Sequence, residues 1–210
     1  MVKIVFAAIS PHPPIILPNV GSPEDRAQVK NTIEALKKLG KELKEKKPDE
    51  ILISAPHPDW GFNVPLFFIA KDFKGKIETR LIELESPQFY FDEGKKVYRG
   101  MSSVDKKVAI IASGDMSHVL KEDGPYGFNP DGPKFDKDLI ESLKKKDIER
   151  ILKLDELYPE AGECGLRSFC FLLGILEAHS KNSGQAWQPE ILSYEGPFGV
   201  GYLVVNFKLR

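Results

Sequence analysis

The stretch IVFAAISPHPP, from Ile4 to Pro14, decides how the rest of the chain is read. Its first six residues are apolar and partly β-branched, the composition of a strand buried on both faces. The Ser-Pro-His-Pro-Pro that follows cannot continue a strand, because proline removes ladder hydrogen bonds. His12 therefore stands just past the C-terminal end of a buried strand. The same arrangement recurs where Ile51–Ile53 leads into His57 and where Val108–Ala112 leads into His118. Three of the four histidines thus lie at strand ends, the edge at which open α/β sheets bind ligands. Chance placement explains this poorly, and a site built from imidazoles explains it well.

Between these strands the chain alternates strand and helix. Glu24–Lys47 carries Val29, Ile33, Leu36, Leu39 and Leu43 at helical spacing, with Ser22-Pro23 as a start signal and Pro48 as a stop. Glu50–Ala55, Val64–Ala70 and Ile77–Glu83 read as strands, and Phe91–Met101 as a short helix before the strand ending at Ala112. Lys121–Lys134 is too rich in Gly and Pro for regular structure, and a loop of that length beside His118 suggests function. Phe135–Leu154 reads as one or two helices. Ala161–Ala178 is apolar all round and reads as a buried central helix. Glu190–Ser193 and Gly201–Phe207 are the last strands. The expected fold is a single α/β domain over residues 1–210, a three-layer α/β/α sandwich around a mixed β-sheet.

Thirty basic residues against thirty-one acidic ones leave a formal charge of −1, which offers no footprint for nucleic acid or an anionic membrane. The apolar run Val5–Ile9 is too short to span a bilayer and has no small-residue cleavage site after it, so a cytoplasmic protein is expected. Cys164 and Cys170 suit neither a zinc ribbon nor a disulfide framework and should be reduced, Cys170 as core packing. A homo-oligomer is expected.

Two neutral imidazoles and a carboxylate form the facial triad that holds iron(II) and leaves positions open for substrate and dioxygen. His12 and His57 supply the imidazoles. For the third donor, Glu163 and Cys164 compete at the start of the buried helix, where the dipole favours a carboxylate and lowers a thiol's pKa. Asp59 and Asp115 are candidates to orient the imidazoles, or are plain turn residues. Trp60, Tyr126, Phe128 and Phe198 are candidates to line a pocket. Arg167 could meet a substrate carboxylate or the acidic turn of its own helix. His179, beside Ser180-Lys181-Asn182, reads as a cation near solvent at a helix C-terminus.

Taken together, Ser-Pro-His12-Pro-Pro, Pro-His57-Pro-Asp59, Ser-Gly-Asp115-Met-Ser-His118, Glu163-Cys-Gly-Leu-Arg167 and the Gly-Pro-Phe-Gly-Val-Gly-Tyr run at Gly196–Tyr202 resemble the class III extradiol ring-cleavage dioxygenases. The closest resemblance is to their LigB-like catalytic B subunits and Memo-type relatives, and it runs over nearly the whole chain. It implies iron(II) on His12, His57 and Glu163, with His118 as the acid/base. It also implies a small catechol-like aromatic substrate and O2. In Memo-type relatives the third metal position is a cysteine, which aligns here with Cys164; that reading implies metal binding with a redox or interaction role and no ring cleavage. A zinc hydrolase, with zinc on His12, His57 and an acid, is a further reading of the same donors.

Overall fold

The structure is a computed structural model that describes residues 2–101 and 106–210. In chain order its elements are β1 (Lys3–Ser10), α1 (Pro23–Gln28), α2 (Lys30–Lys46), β2 (Glu50–Ala55), α3 (Trp60–Ile69), β3 (Lys76–Leu81) and α4 (Pro87–Gly100). They continue as β4 (Lys107–Ser113), α5 (Asp131–Lys145), α6 (Ile148–Ile151), α7 (Leu154–Leu157), α8 (Leu166–Ser183), β5 (Trp187–Glu195) and β6 (Tyr202–Leu209). The sheet order is β3-β2-β4-β1-β6-β5. β1 to β4 run parallel, β6 pairs antiparallel with β1, and β5 pairs antiparallel with β6. The mixed sheet of a three-layer α/β/α fold follows, as the sequence led us to expect.

Strand alternation divides the core into two layers. Phe6, Ala8, Ile51, Ile53 and Ile111 face α2 and α3, while Ile9, Leu52, Ile110 and Ala112 face α4 and α8. Both sheet faces are covered, which is why these strands read as continuous apolar runs. Among the described residues, no helix is long and apolar enough to cross a membrane.

Three expectations are corrected. Val64–Ala70 is not a strand but most of α3. A short continuous apolar run cannot by itself distinguish strand from buried helix. Here the Asp59 carbonyl accepts from the N–H groups of Phe62 and Asn63 and starts a helical turn, and the buried positions Gly61, Val64, Pro65 and Ile69 recur at helical spacing. The expected helix over Glu24–Lys47 is two, broken at Val29. Ser22 and Asp25 form a full capping box on the first of them. His179 is buried rather than near solvent, with Nδ1 3.1 Å from Tyr98 Oη and Nε2 3.0 Å from Gln185 Oε1.

The two helices on one face, α4 and α8, touch through glycine. A Cβ on Gly174 would collide with the Phe91 carbonyl, and one on Gly94 would collide with the Phe171 carbonyl. Both obstacles are backbone and cannot swing away, so this crossing distance is fixed by the absence of two side chains. Gly174→Ala should lower stability by roughly 1–3 kcal/mol, the cost of overpacking a close contact. Thermal unfolding checks this, and an unchanged midpoint would contradict the fixed crossing.

Candidate metal centre

Parallel strands β1, β2 and β4 end at the same edge, so His12, His57 and the Ser113–His118 turn converge there. His12 is buried, and its backbone N–H donates to Asp115 Oδ1 at 2.9 Å. Its Nδ1 lies 2.9 Å from Ser113 Oγ, which leaves Nε2 turned toward His57 and Cys164. The His12 and His57 rings meet edge to face at 5.4 Å. His57 is exposed, on the solvent side of the pair.

Cys164 reaches this edge from the other direction, in the turn that leads into α8. Its Sγ is 3.7 Å from His12 Nε2 and accepts from the Asp115 backbone N–H at 3.3 Å. What allows the approach is Gly114, where a Cβ would collide with Gly165 Cα; the turn after β4 and the start of α8 meet backbone to backbone. Two overlapping donor groups result, His12–His57–Cys164 and Asp115–His118–Cys164, each with ligand atoms within 4.8 Å of one another.

The electrostatics suit a cation that is held by neutral donors. Burial, and then the neighbouring His57, pull His12 down to about 3, so its imidazole is neutral at neutral pH and its 4.0 Å approach to Asp115 is no ion pair. Burial also lowers His118, with Asp115 partly opposing. Burial raises Asp115 to about 6 and pushes the Cys164 thiol well up, the negative charge of Asp115 adding to the latter. His118 Nε2 is buried without a hydrogen-bond partner among the described residues, a condition native structures seldom tolerate. Neutral imidazoles, a protonated thiol and an orphaned ring nitrogen in one place are what a divalent ion would reverse, so the donors present fit a metal.

Glu163 stands outside both donor groups. Its carboxylate accepts from the Leu166 N–H at 2.6 Å and from Arg167 Nη1 at 3.1 Å, so it caps the start of α8 from the turn before it, where the helix dipole favours an acid. In this geometry the Cys164 thiol, and not the Glu163 carboxylate, lies within reach of the His12 and His57 ring nitrogens. Arg167 reaches Glu163, Asp155 and the Glu85 carbonyl rather than the donor cluster. Asp59 is an exposed residue at the start of α3 and joins neither group. Tyr126 is exposed, its ring 5.2 Å from that of His118.

Asp136 escaped the sequence reading. It is buried in α5, accepts from the Ser117 N–H at 2.8 Å and from Tyr194 Oη at 2.5 Å, and so braces the turn that carries His118. Ser117 Oγ adds a bond to the Ala161 carbonyl at 2.9 Å. An Asp inside a Lys-rich helix gives no pattern by which it could be singled out.

Residues 57–205 match the family described as the catalytic LigB subunit of aromatic ring-opening dioxygenase, most of the chain from His57 onward. The chain belongs to the LigB family. That membership places it in a dioxygenase-like superfamily, and His12, before the matched segment, joins the matched donors only in the fold. Among relatives, Protein CA_C1420 of Clostridium acetobutylicum is 30% identical over 94% of this chain and 56% of its own length. The chain thus spans about half of that relative. Among solved structures, the uncharacterized protein JW3007 from Escherichia coli K12 shares the fold, with a TM-score of 0.64 at 15% identity over 96% of this chain and 99% of that one.

Burial raises Asp136 to about 7, with the Tyr194 and Ser117 hydrogen bonds opposing in part and the charge of Glu163 adding. A carboxyl whose folded pKa lies above its unfolded value binds a proton more readily when folded. Its stabilisation is complete below about pH 4 and is lost as pH climbs to about 7, with a slope of at most ~1.4 kcal/mol per pH unit. Asp136→Asn should remove that part of the slope. Urea melts of both proteins between these limits measure it, and equal slopes would contradict the assignment.

Proposed function

We propose that this LigB chain is a metal-dependent oxidoreductase that opens a small catechol-like aromatic with O2, its ion held by His12, His57 and Cys164. The observation that supports this most directly is the meeting of those three donors beside the unpartnered Nε2 of His118. Iron(II), when bound, supplies open positions for a diol and dioxygen and a route for electrons between them. His12 is oriented for the ion by Ser113, whose hydroxyl accepts from Nδ1 when Nε2 is the ligand. His118 is neutral in its buried setting and takes a proton from a substrate hydroxyl at Nε2, then returns it. Tyr126, against the His118 ring and open to solvent, offers an aromatic wall for a planar substrate.

A second reading is favoured by the thiol itself. Thiolate is a soft donor that selects zinc and other soft ions over iron(II), and it is open to oxidation. With such an ion the same residues would make a Memo-like metal protein with a redox or interaction role and no ring cleavage.

Anaerobically loaded protein assayed against a panel of catechols tests the proposal. His12→Ala and His57→Ala should each lose iron affinity at least roughly tenfold. His118→Ala should keep the metal and lose turnover by about 10²-fold or more. Wild-type protein that binds zinc tightly, takes up no iron and opens no catechol would put the second reading in place of the first.

A further inference from the structure

β3 is one edge of the sheet, and its outer side has no strand partner among the described residues. All its residues are exposed. An open edge of this kind is a template for another strand. The pairing with β2 fixes which backbone groups face outward. The Ile82 N–H donates to the Ala55 carbonyl at 2.9 Å, one step past the Ala55–Leu81 register, so the even-numbered residues bond to β2. Backbone groups alternate along a strand, and those of Ile77, Thr79 and Leu81 therefore point to the open side.

A second copy pairing antiparallel must use these odd-numbered residues, which restricts the register to those centred on a single residue. Centred on Glu78, the pairing sets Glu78 against the partner's Glu78 and Lys76 against the partner's Arg80. Centred on Arg80, it opposes two arginines. Centred on Ile77, it sets Arg80 against the partner's Lys74 and leaves half of the strand unpaired. Centred on Thr79, it sets Ile77 against the partner's Leu81 and Glu78 against the partner's Arg80, each twice over by symmetry. Opposed apolar and opposite-charge pairs stabilise antiparallel strands, and like charges destabilise them. Ile77 and Leu81, 38% and 45% exposed, cover each other in this register alone, and Leu84, 96% exposed, lies just beyond it.

We propose that the protein is a homodimer joined by its β3 edges, antiparallel about Thr79, so that the two six-stranded sheets become one continuous sheet. The twofold axis reverses strand direction, and the two histidine edges open to opposite sides. The charges on β3 that would repel another edge in most registers specify this one.

Analytical ultracentrifugation of the full chain over a concentration series tests the interface, with circular dichroism to verify that each variant folds. The wild type should sediment as a dimer. Arg80→Glu places four carboxylates together at the interface and should weaken association at least roughly tenfold, whereas the double reversal Glu78→Arg, Arg80→Glu should restore it. The double variant does not recover the 3.4 Å pair of Arg80 with Glu93, so recovery of the dimer reports on the register and not on that pair. Thr79→Pro removes an outward N–H and should weaken the dimer without breaking the ladder to β2. A monomeric wild type at its highest soluble concentration, or a dimer that Arg80→Glu leaves intact, overturns the proposal.

Discussion

The candidate centre depends on one backbone contact, Gly114 against Gly165. Strand ends alone bring together His12, His57 and the His118 turn, because parallel strands share a C-terminal edge. They do not bring Cys164, which lies some fifty positions later in the chain, before α8. With side chains at both glycines the turn after β4 would be held away from the helix start. The Asp115 N–H would then lose Cys164 Sγ, and the thiol would withdraw from His12. The contact thus converts a row of histidines into a cluster with a third kind of donor.

Desolvation governs what the cluster can be. Burial drives His12, Asp115, His118 and Cys164 toward their uncharged forms. These buried groups offer donors in abundance and carry no positive charge of their own. A divalent cation would draw the proton from the thiol and satisfy the imidazole nitrogens directly. Thiolate in the third position would also tune the centre away from the hard-carboxylate set, which is why the nature of the ion and the reaction are linked questions here. Asp136 works one layer further out. It holds the Ser117 N–H and Tyr194 together and so fixes the turn on which His118 stands.

Much of this was legible in the sequence, for physical reasons that differ by element. The strands before His12, His57 and His118 were readable because a sheet covered on both faces requires continuous apolar runs, and proline requires those runs to stop. The final helix was readable because burial on every side left it without a polar face. α3 misleads because Val64–Ala70 is apolar at every position and therefore carries no period, while the turn that starts the helix is set by the Asp59 carbonyl before that run. The polar neighbours of His179 in sequence suggest solvent, while the partners that bury it, Tyr98 and Gln185, come from α4 and from the turn after α8. Glu163 and Cys164 could not be separated from sequence, since adjacent residues at a helix start differ only in which way the turn sends them. Arg167, one turn on, draws the Glu163 carboxylate to itself and away from the donor cluster.

The identity of the third donor is the claim on which the chemical account rests, and cobalt(II) reports on it without any need for turnover. Cobalt bound to thiolate shows a sulfur-to-metal charge-transfer absorption that nitrogen and oxygen donors do not give. Cobalt-loaded wild-type protein should display this band, Glu163→Gln should retain it, and Cys164→Ser should lose it. A spectrum without the band in the wild type, or one abolished by Glu163→Gln and preserved by Cys164→Ser, would contradict the assignment.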